Sequence, residues 1–146
     1  MANVLIVEDD LTIADMLRDA LEAAGFTVTD IARTFAEAVS AAGRDTPDFA
    51  VVDVNLANGD LGTDVAAHFR RIGTIGIVLS TGYDTGSIDA GCADAMMIKP
   101  YRLSDMGRGL AIIGEIKANG ITSLPFPAKF TLLNPGPAEV LAGIAR

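Results

Sequence analysis

Short runs of large apolar residues alternate along this chain with longer stretches whose apolar residues recur at helical spacing. A short apolar run fits a strand buried on both faces, and an apolar stripe with a period near 3.6 residues fits a helix lying on a sheet. This strand–helix unit recurs nearly five times. It predicts an α/β domain with a doubly wound, five-stranded parallel sheet and helices on both faces.

The predicted strands and helices are read from that alternation. The strands cover residues 4–7, 26–29, 49–52, 75–79 and 95–98. The second strand is the most polar of them, which is typical of an edge strand. Helical stripes cover residues 13–24, 35–42, 65–72 and 103–113. Thr34 and Glu37 form a capping-box pattern at the start of the second helix.

One link in the alternation is weak. Residues 82–94 contain Gly82, Gly86 and Gly91, and Ile88 is their only large aliphatic residue. Glycine raises the entropy cost of a helix, and one aliphatic side chain makes no apolar stripe. We therefore expect the fourth helix of the doubly wound domain to be short or degenerate.

The chain changes character after residue 118. Residues 119–146 hold four of the six prolines. We therefore expect one domain over residues 1–118 and a Pro-rich C-terminal tail over 119–146. Pro137 is placed to begin a short helix over residues 138–145.

The last helix of the domain carries apolar residues beside its main stripe. Ile112 and Ile116 either pack under the tail or form a dimer face. We favour the tail, because Phe126 and Phe130 need burial. The sequence is compatible with a monomer or a weak homodimer.

Composition and charge exclude several classes of protein. Half of the 146 residues are hydrophobic, which excludes a disordered chain, and the net charge of −8 disfavours direct binding to DNA or to anionic membranes. The single cysteine, Cys92, cannot form an internal disulfide. No apolar run approaches the ~20 residues that span a bilayer, and the first run stops at acids, unlike a signal peptide. A cytoplasmic location is expected.

Polar residues that could bind a ligand or take part in a reaction follow four of the predicted strands. They are Glu8, Asp9 and Asp10 after the first, Asp53 after the third, Ser80 and Thr81 after the fourth, and Lys99 after the fifth. Ligands of doubly wound sheets bind beyond the carboxyl ends of the strands. A single acid or lysine there is usually a cap or a surface residue, but a complete set is far less expected by chance.

Each residue type has a use at that edge of the sheet. Crowded carboxylates repel one another, and Mg²⁺, which prefers oxygen ligands, relieves the repulsion. A carboxylate beside the cation can attack phosphorus, because the phosphoryl oxygens are neutralised. Lys99 can hold one phosphoryl oxygen as a point charge, and the Thr81 hydroxyl can hydrogen-bond another. Asp10, one residue beyond the strand end, fits a helix cap.

The ordered set of motifs resembles the CheY-like receiver domain of response regulators in two-component signalling. The motifs are Val-Leu-Ile-Val-Glu-Asp-Asp at 4–10, Val-Asp-Val-Asn-Leu at 52–56, Leu-Ser-Thr-Gly-Tyr at 79–83 and Ile-Lys-Pro-Tyr at 98–101. The resemblance covers residues 3–118. It implies a flavodoxin-like fold with strand order 2-1-3-4-5 and Mg²⁺-dependent phosphoryl transfer from a histidine kinase to an aspartate.

The resemblance also implies a role for each site residue. Asp53 would be the phosphoacceptor, and Thr81 and Lys99 would bind the phosphoryl oxygens. The metal site would comprise Glu8 through water, Asp9, Asp53 and the backbone carbonyl of Asn55, with Asp10 as a lower-ranked candidate. A cis bond between Lys99 and Pro100 would turn the lysine inward.

Some positions depart from the family's pattern. Met96 stands where the family usually has an aromatic switch residue, and the loop over residues 56–62 is one residue longer than usual. With Thr81-Gly82-Tyr83, these features are similar to an alphaproteobacterial single-domain subgroup with a Phe-Ala-Thr-Gly motif. Tyr83, the nearest aromatic, is the candidate to dock in place of the missing switch residue.

We therefore expect a stand-alone receiver rather than an enzyme. Its partners would be a histidine kinase or a histidine phosphotransfer protein and an unknown downstream protein, with no direct DNA or membrane binding. Its only chemistry would be its own phosphorylation and dephosphorylation. The alternatives are a pseudo-receiver that takes no phosphate and an aspartate-nucleophile phosphohydrolase. A flavin or nucleotide binder is disfavoured, because acids occupy the first strand–helix turn.

Overall fold

The structure, a computed structural model, describes residues 2–82 and 90–133 of the chain. Its strands are β1 (Asn3–Val7), β2 (Thr27–Ala32), β3 (Phe49–Asp53), β4 (Gly76–Thr81), β5 (Ala95–Ile98) and β6 (Phe130–Leu132). Its helices are α1 (Leu11–Ala23), α2 (Phe35–Arg44), α3 (Gly62–Ile72) and α4 (Leu103–Asn119). No helix in this described part is long and apolar enough to cross a membrane.

The strands form one sheet in the order β2-β1-β3-β4-β5-β6. The first five pair in parallel, in the predicted order, and β6 pairs antiparallel with β5. The prediction of five strands is therefore wrong by one. The doubly wound fold itself is confirmed.

Two apolar cores cover the two faces of the sheet. Helices α2 and α3 pack on one face, where Ala38 and Phe69 are completely buried. Helices α1 and α4 pack on the other face, around Leu21 and Leu110. Because both faces are covered, the central strands β1, β3 and β4 are buried along almost their whole length.

Strand β2 begins later and ends later than predicted. It pairs with β1 through a register shift at Val4 and Leu5, and the Thr29 hydroxyl bonds the Val4 carbonyl at 3.4 Å. Phe26 lies before the strand, with its ring edge-on to Phe49 at 6.0 Å. An irregular register of this kind has no simple period-2 signal, which explains the misplaced bounds.

The predicted capping box of α2 is present. The Thr34 hydroxyl accepts from the Glu37 N–H at 3.1 Å. The Glu37 carboxylate reaches back to the Arg33 N–H at 3.0 Å. The two bonds satisfy backbone donors that the first turn of a helix leaves unpaired.

The weak link between β4 and β5 is only partly described. Its described part contains a single 3₁₀ turn, Ala90–Cys92. Residues 83–89, which include Tyr83, lie outside the described residues. So does the predicted helix over 138–145.

The tail packs on α4, as expected from its phenylalanines. Phe130 is buried, and its ring lies so close to Gly109 that an added Cβ would be 2.9 Å from it. Ile112 and Phe126 belong to the same apolar cluster. A boundary at residue 118 stays a prediction, but the sheet includes one strand from beyond it.

Candidate functional site

The polar residues singled out in the sequence lie at the carboxyl ends of β1, β3, β4 and β5. The Glu8 N–H donates to the Ala32 carbonyl at 2.8 Å, which ties the end of β1 to β2. Asp10 caps α1, and its carboxylate accepts from the N–H groups of Thr12 and Ile13 at 3.0 and 3.2 Å. This capping role is the one predicted for Asp10.

Three carboxylates meet at this edge of the sheet. Glu8, Asp9 and Asp53 each offer an oxygen, and these oxygens all lie within 4.8 Å of one another. Glu8 and Asp53 are buried, and Asp9 is half-buried. Hard oxygen donors, clustered and open to water on one side, fit Mg²⁺, which keeps several waters when bound.

Lys99 is the cation that faces this cluster. Its Nζ lies 3.0 Å from Asp53 Oδ2 and 3.7 Å from Glu8 Oε1. The Lys99–Pro100 bond is cis, as expected from the resemblance. The Lys99 N–H also donates to the Thr81 carbonyl at 2.7 Å, so the lysine is held against the end of β4.

Burial and charge shift two pKa values in this site. Burial first, and then the hydrogen bond and charge of Asp53, raise the pKa of Glu8 from 4.5 to about 8. Burial by itself lowers the pKa of Lys99, but the hydrogen bond and charge of Asp53, together with the charges of Glu8 and Tyr101, outweigh it, and the pKa is raised. In the metal-free site, burial and charge thus favour a charged Lys99 and a protonated Glu8.

Asp53 is held from both sides. Its Oδ1 accepts from the Asn55 N–H at 3.1 Å, while its Oδ2 accepts from Lys99. Asn55 is exposed and bridges to Leu61 across the following loop. The Gly62 N–H donates to the Val54 carbonyl at 2.7 Å, which brings the start of α3 against the end of β3.

Thr81 ends β4 and is buried. Its neighbour Ser80 is also buried, and its hydroxyl lies 3.2 Å from the Tyr101 hydroxyl. Sequence reasoning did not assign Tyr101 a contact. The available signal was a serine in an otherwise apolar strand, since a buried hydroxyl needs a partner.

The doubly wound sheet thus carries clustered acids and a lysine together at its carboxyl edge, which is the arrangement that the family resemblance implied. The family model described as "Response regulator receiver domain" matches residues 4–110. The chain therefore belongs to the response regulator receiver domain family.

Curated relatives agree with this family. The chain is 30% identical to the KDP operon transcriptional regulatory protein KdpE of Escherichia coli over 132 residues, covering 87% of this chain and 56% of KdpE. It is 33% identical to the response regulator MprA of Mycobacterium ulcerans over 110 residues, covering 71% of this chain and 46% of MprA. The chain thus spans about half the length of these relatives.

Solved structures share the fold. A receiver domain of a modulated diguanylate cyclase from Desulfovibrio desulfuricans superposes with a TM-score of 0.71 at 27% identity, over 81% of this chain and 98% of that one. A CheY-like receiver protein from Methanospirillum hungatei superposes with a TM-score of 0.72 at 24% identity, over 82% and 99%. Membership of the Phe-Ala-Thr-Gly subgroup stays a prediction.

The raised pKa of Glu8 predicts a pH dependence of stability in the metal-free protein. The folded state keeps the Glu8 proton up to a pKa of about 8, whereas the unfolded chain releases it near 4.5. This stabilising contribution is complete below the unfolded value and is lost as pH rises toward 8. We expect the free energy of unfolding to fall by roughly 1–3 kcal/mol from this group between pH 5 and pH 8.

Urea unfolding of the chelator-treated protein at several pH values measures this effect. Glu8→Gln, which cannot titrate at this position, is the matched control. In this variant the fall in the free energy of unfolding between pH 5 and pH 8 should be smaller. Equal pH slopes for wild type and Glu8→Gln would rule out Glu8 as the source.

Proposed function

We propose that this chain accepts a phosphoryl group on Asp53 in a Mg²⁺-dependent reaction and passes the signal on by protein contact. The observation that carries the proposal is the position of Asp53, held between Lys99 at 3.0 Å and the carboxylates of Glu8 and Asp9. Glu8, Asp9, Asp53 and the Asn55 backbone carbonyl are the proposed metal ligands, directly or through water.

The proposed reaction is a displacement at phosphorus. A carboxylate oxygen of Asp53 forms a bond to phosphorus while the bond from phosphorus to the donor breaks, and the leaving group keeps the electron pair. When bound, Mg²⁺ supplies positive charge that neutralises the phosphoryl oxygens. Lys99 and the Thr81 hydroxyl hold two of those oxygens. Later attack by water releases inorganic phosphate and restores the carboxylate.

The physiological donor proposed is a phosphohistidine on a histidine kinase or a phosphotransfer protein. The bond that breaks is then phosphorus–nitrogen, and the imidazole leaves. Membership of the receiver family supports this donor class. The surface of net charge −8 supports signalling through protein contacts rather than direct contact with DNA.

The two alternative functions have less support. An aspartate-nucleophile phosphohydrolase usually carries a second acid two residues after the nucleophile, and that position here is Asn55. A pseudo-receiver has no need of clustered buried acids opposite a lysine. Burying such groups costs free energy unless they serve a ligand or one another.

Intact mass spectrometry tests the proposal. The protein is incubated with a small phosphodonor, with Mg²⁺ in one sample and with a chelator in the other. We expect a mass gain of one phosphoryl group with Mg²⁺ and none with the chelator. Absence of any gain with Mg²⁺ present would favour the pseudo-receiver.

Asp9→Ala is expected to weaken Mg²⁺ binding at least ~10-fold, because it removes a direct ligand and changes to supporting groups alone already cost that much. Titration calorimetry of the metal-free protein measures the affinity. Asp10→Ser is the matched control, since serine keeps the cap of α1 and removes the neighbouring carboxylate. An unchanged affinity in Asp9→Ala, or an equal loss in Asp10→Ser, would contradict this assignment.

A further inference from the structure

Two hydroxyl groups join the strands that carry Thr81 and Lys99. Ser80 Oγ and Tyr101 Oη lie 3.2 Å apart. Ser80 immediately precedes Thr81, and Tyr101 follows Lys99 after one proline. The contact therefore links the carboxyl ends of β4 and β5 at positions within two residues of Thr81 and Lys99.

Ser80 is also fixed to the strand of the acceptor. It stands opposite Asp53 in the pairing of β3 with β4, and its carbonyl accepts from the Val54 N–H at 3.0 Å. On the other side, the backbone of Thr81 accepts from the Lys99 N–H at 2.7 Å. The hydroxyl pair thus adds a side-chain link to the backbone hydrogen bonds that connect the strand ends carrying Asp53, Thr81 and Lys99.

Packing alone does not require these hydroxyls. Ser80 is 3% exposed and lies in a strand whose other core residues, such as Val78 and Leu79, are apolar. The Tyr101 ring packs against the α1 and α4 core, where a phenylalanine would make the same contacts. Replacing both members of a buried hydrogen bond by apolar groups of the same shape is nearly neutral for stability. A hydrogen bond between the buried Ser80 and the half-buried Tyr101 at this place therefore points to the site beside it.

We propose that the Ser80–Tyr101 hydrogen bond positions Lys99 relative to Thr81, so that the two side chains engage the same phosphoryl group. The inference rests on the proposed function and assigns Ser80 and Tyr101 as positioning residues. Without the bond, backbone contacts such as the Lys99 N–H bond to the Thr81 carbonyl still hold the turn that carries Lys99, but its position against the end of β4 is less tightly fixed. A displacement of ~1 Å from the reactive geometry costs up to ~100-fold in rate.

The test is the rate of phosphoryl uptake from a small phosphodonor at saturating Mg²⁺, followed by intact mass at several donor concentrations. Tyr101→Phe and Ser80→Ala should each lower the maximal rate about 10-fold. The half-saturating donor concentration should stay unchanged. The double variant should be no slower than either single variant, because each change breaks the same bond. Ser80→Thr, which keeps the hydroxyl, should retain most of the rate.

Ser104→Ala, which removes an exposed hydroxyl from the first turn of α4, is the matched control and should match wild type. Normal uptake by wild type together with normal rates in both single variants would overturn the inference and leave the proposed function standing. Rate losses that add in the double variant would show that the two hydroxyls act independently. Rate losses that follow a fall in the melting temperature of the variants would show a structural role only. Either result would also overturn the inference. No uptake by wild type would overturn the proposed function, and this inference with it.

Discussion

Asp53→Asn should show no gain of mass with a phosphodonor and Mg²⁺, under conditions in which the wild-type protein gains one phosphoryl group. The amide has the size of the carboxylate and can still accept from the Asn55 N–H, which now lies 3.1 Å from Asp53 Oδ1. It has no anionic oxygen to attack phosphorus. The expected effect is therefore complete loss of the reaction with the fold retained.

Asp48→Asn is the matched control for that experiment. Asp48 precedes β3, at the end opposite to Asp53, where its carboxylate accepts from the Asn3 N–H at 2.8 Å. This variant should take up phosphate at the wild-type rate. Phosphorylated Asp53→Asn protein, with the modified residue mapped elsewhere by fragmentation, would show that the acceptor is misassigned.

Among the glycines that the structure describes, Gly62 should be the one whose change to alanine is the most destabilising. Gly62 begins α3 directly over the end of β3, and an added Cβ would lie 1.9 Å from the backbone oxygen of Asp53. That atom belongs to the backbone, so the clash is relieved only by moving α3 away from the strand. We expect the free energy of unfolding to fall by about 3 kcal/mol or more.

Gly43→Ala is the control for Gly62→Ala. Gly43 lies in α2, and an added Cβ there has nothing within 4 Å. Alanine should stabilise this helix by ~0.5–1 kcal/mol. Urea unfolding measures both changes, and a Gly62→Ala protein as stable as wild type would contradict the close approach of α3 to Asp53.

The central part of the fold was predictable because its signals are local. A buried parallel strand is a short apolar run, and a covering helix is an apolar stripe, so each element is recognisable without its partners. The grouping of the candidate site residues could be predicted from the same order of strands and helices. Once Asp53 and Lys99 each stand at the end of a parallel strand, the sheet brings them to one edge whatever the loops do.

The site's electrostatics depended on distances that the sequence does not contain. Residue types alone indicated acids near a lysine. The pKa of about 8 for Glu8 requires its burial and the proximity of Asp53, 45 residues further along the chain. The Ser80–Tyr101 contact depends in the same way on the packing of β4 against β5.

By itself, the sequence determined the doubly wound class and, through its family resemblance, the strand order, and it predicted which residues form the site. Only the tertiary structure revealed β6, which is three residues long and has a partly buried pattern that resembles a loop. Its pairing partners, Ala95 to Met97, lie more than 30 residues earlier. A short edge strand has no period to read, because its stability comes from hydrogen bonds to β5 and from burial of Phe130 against α4.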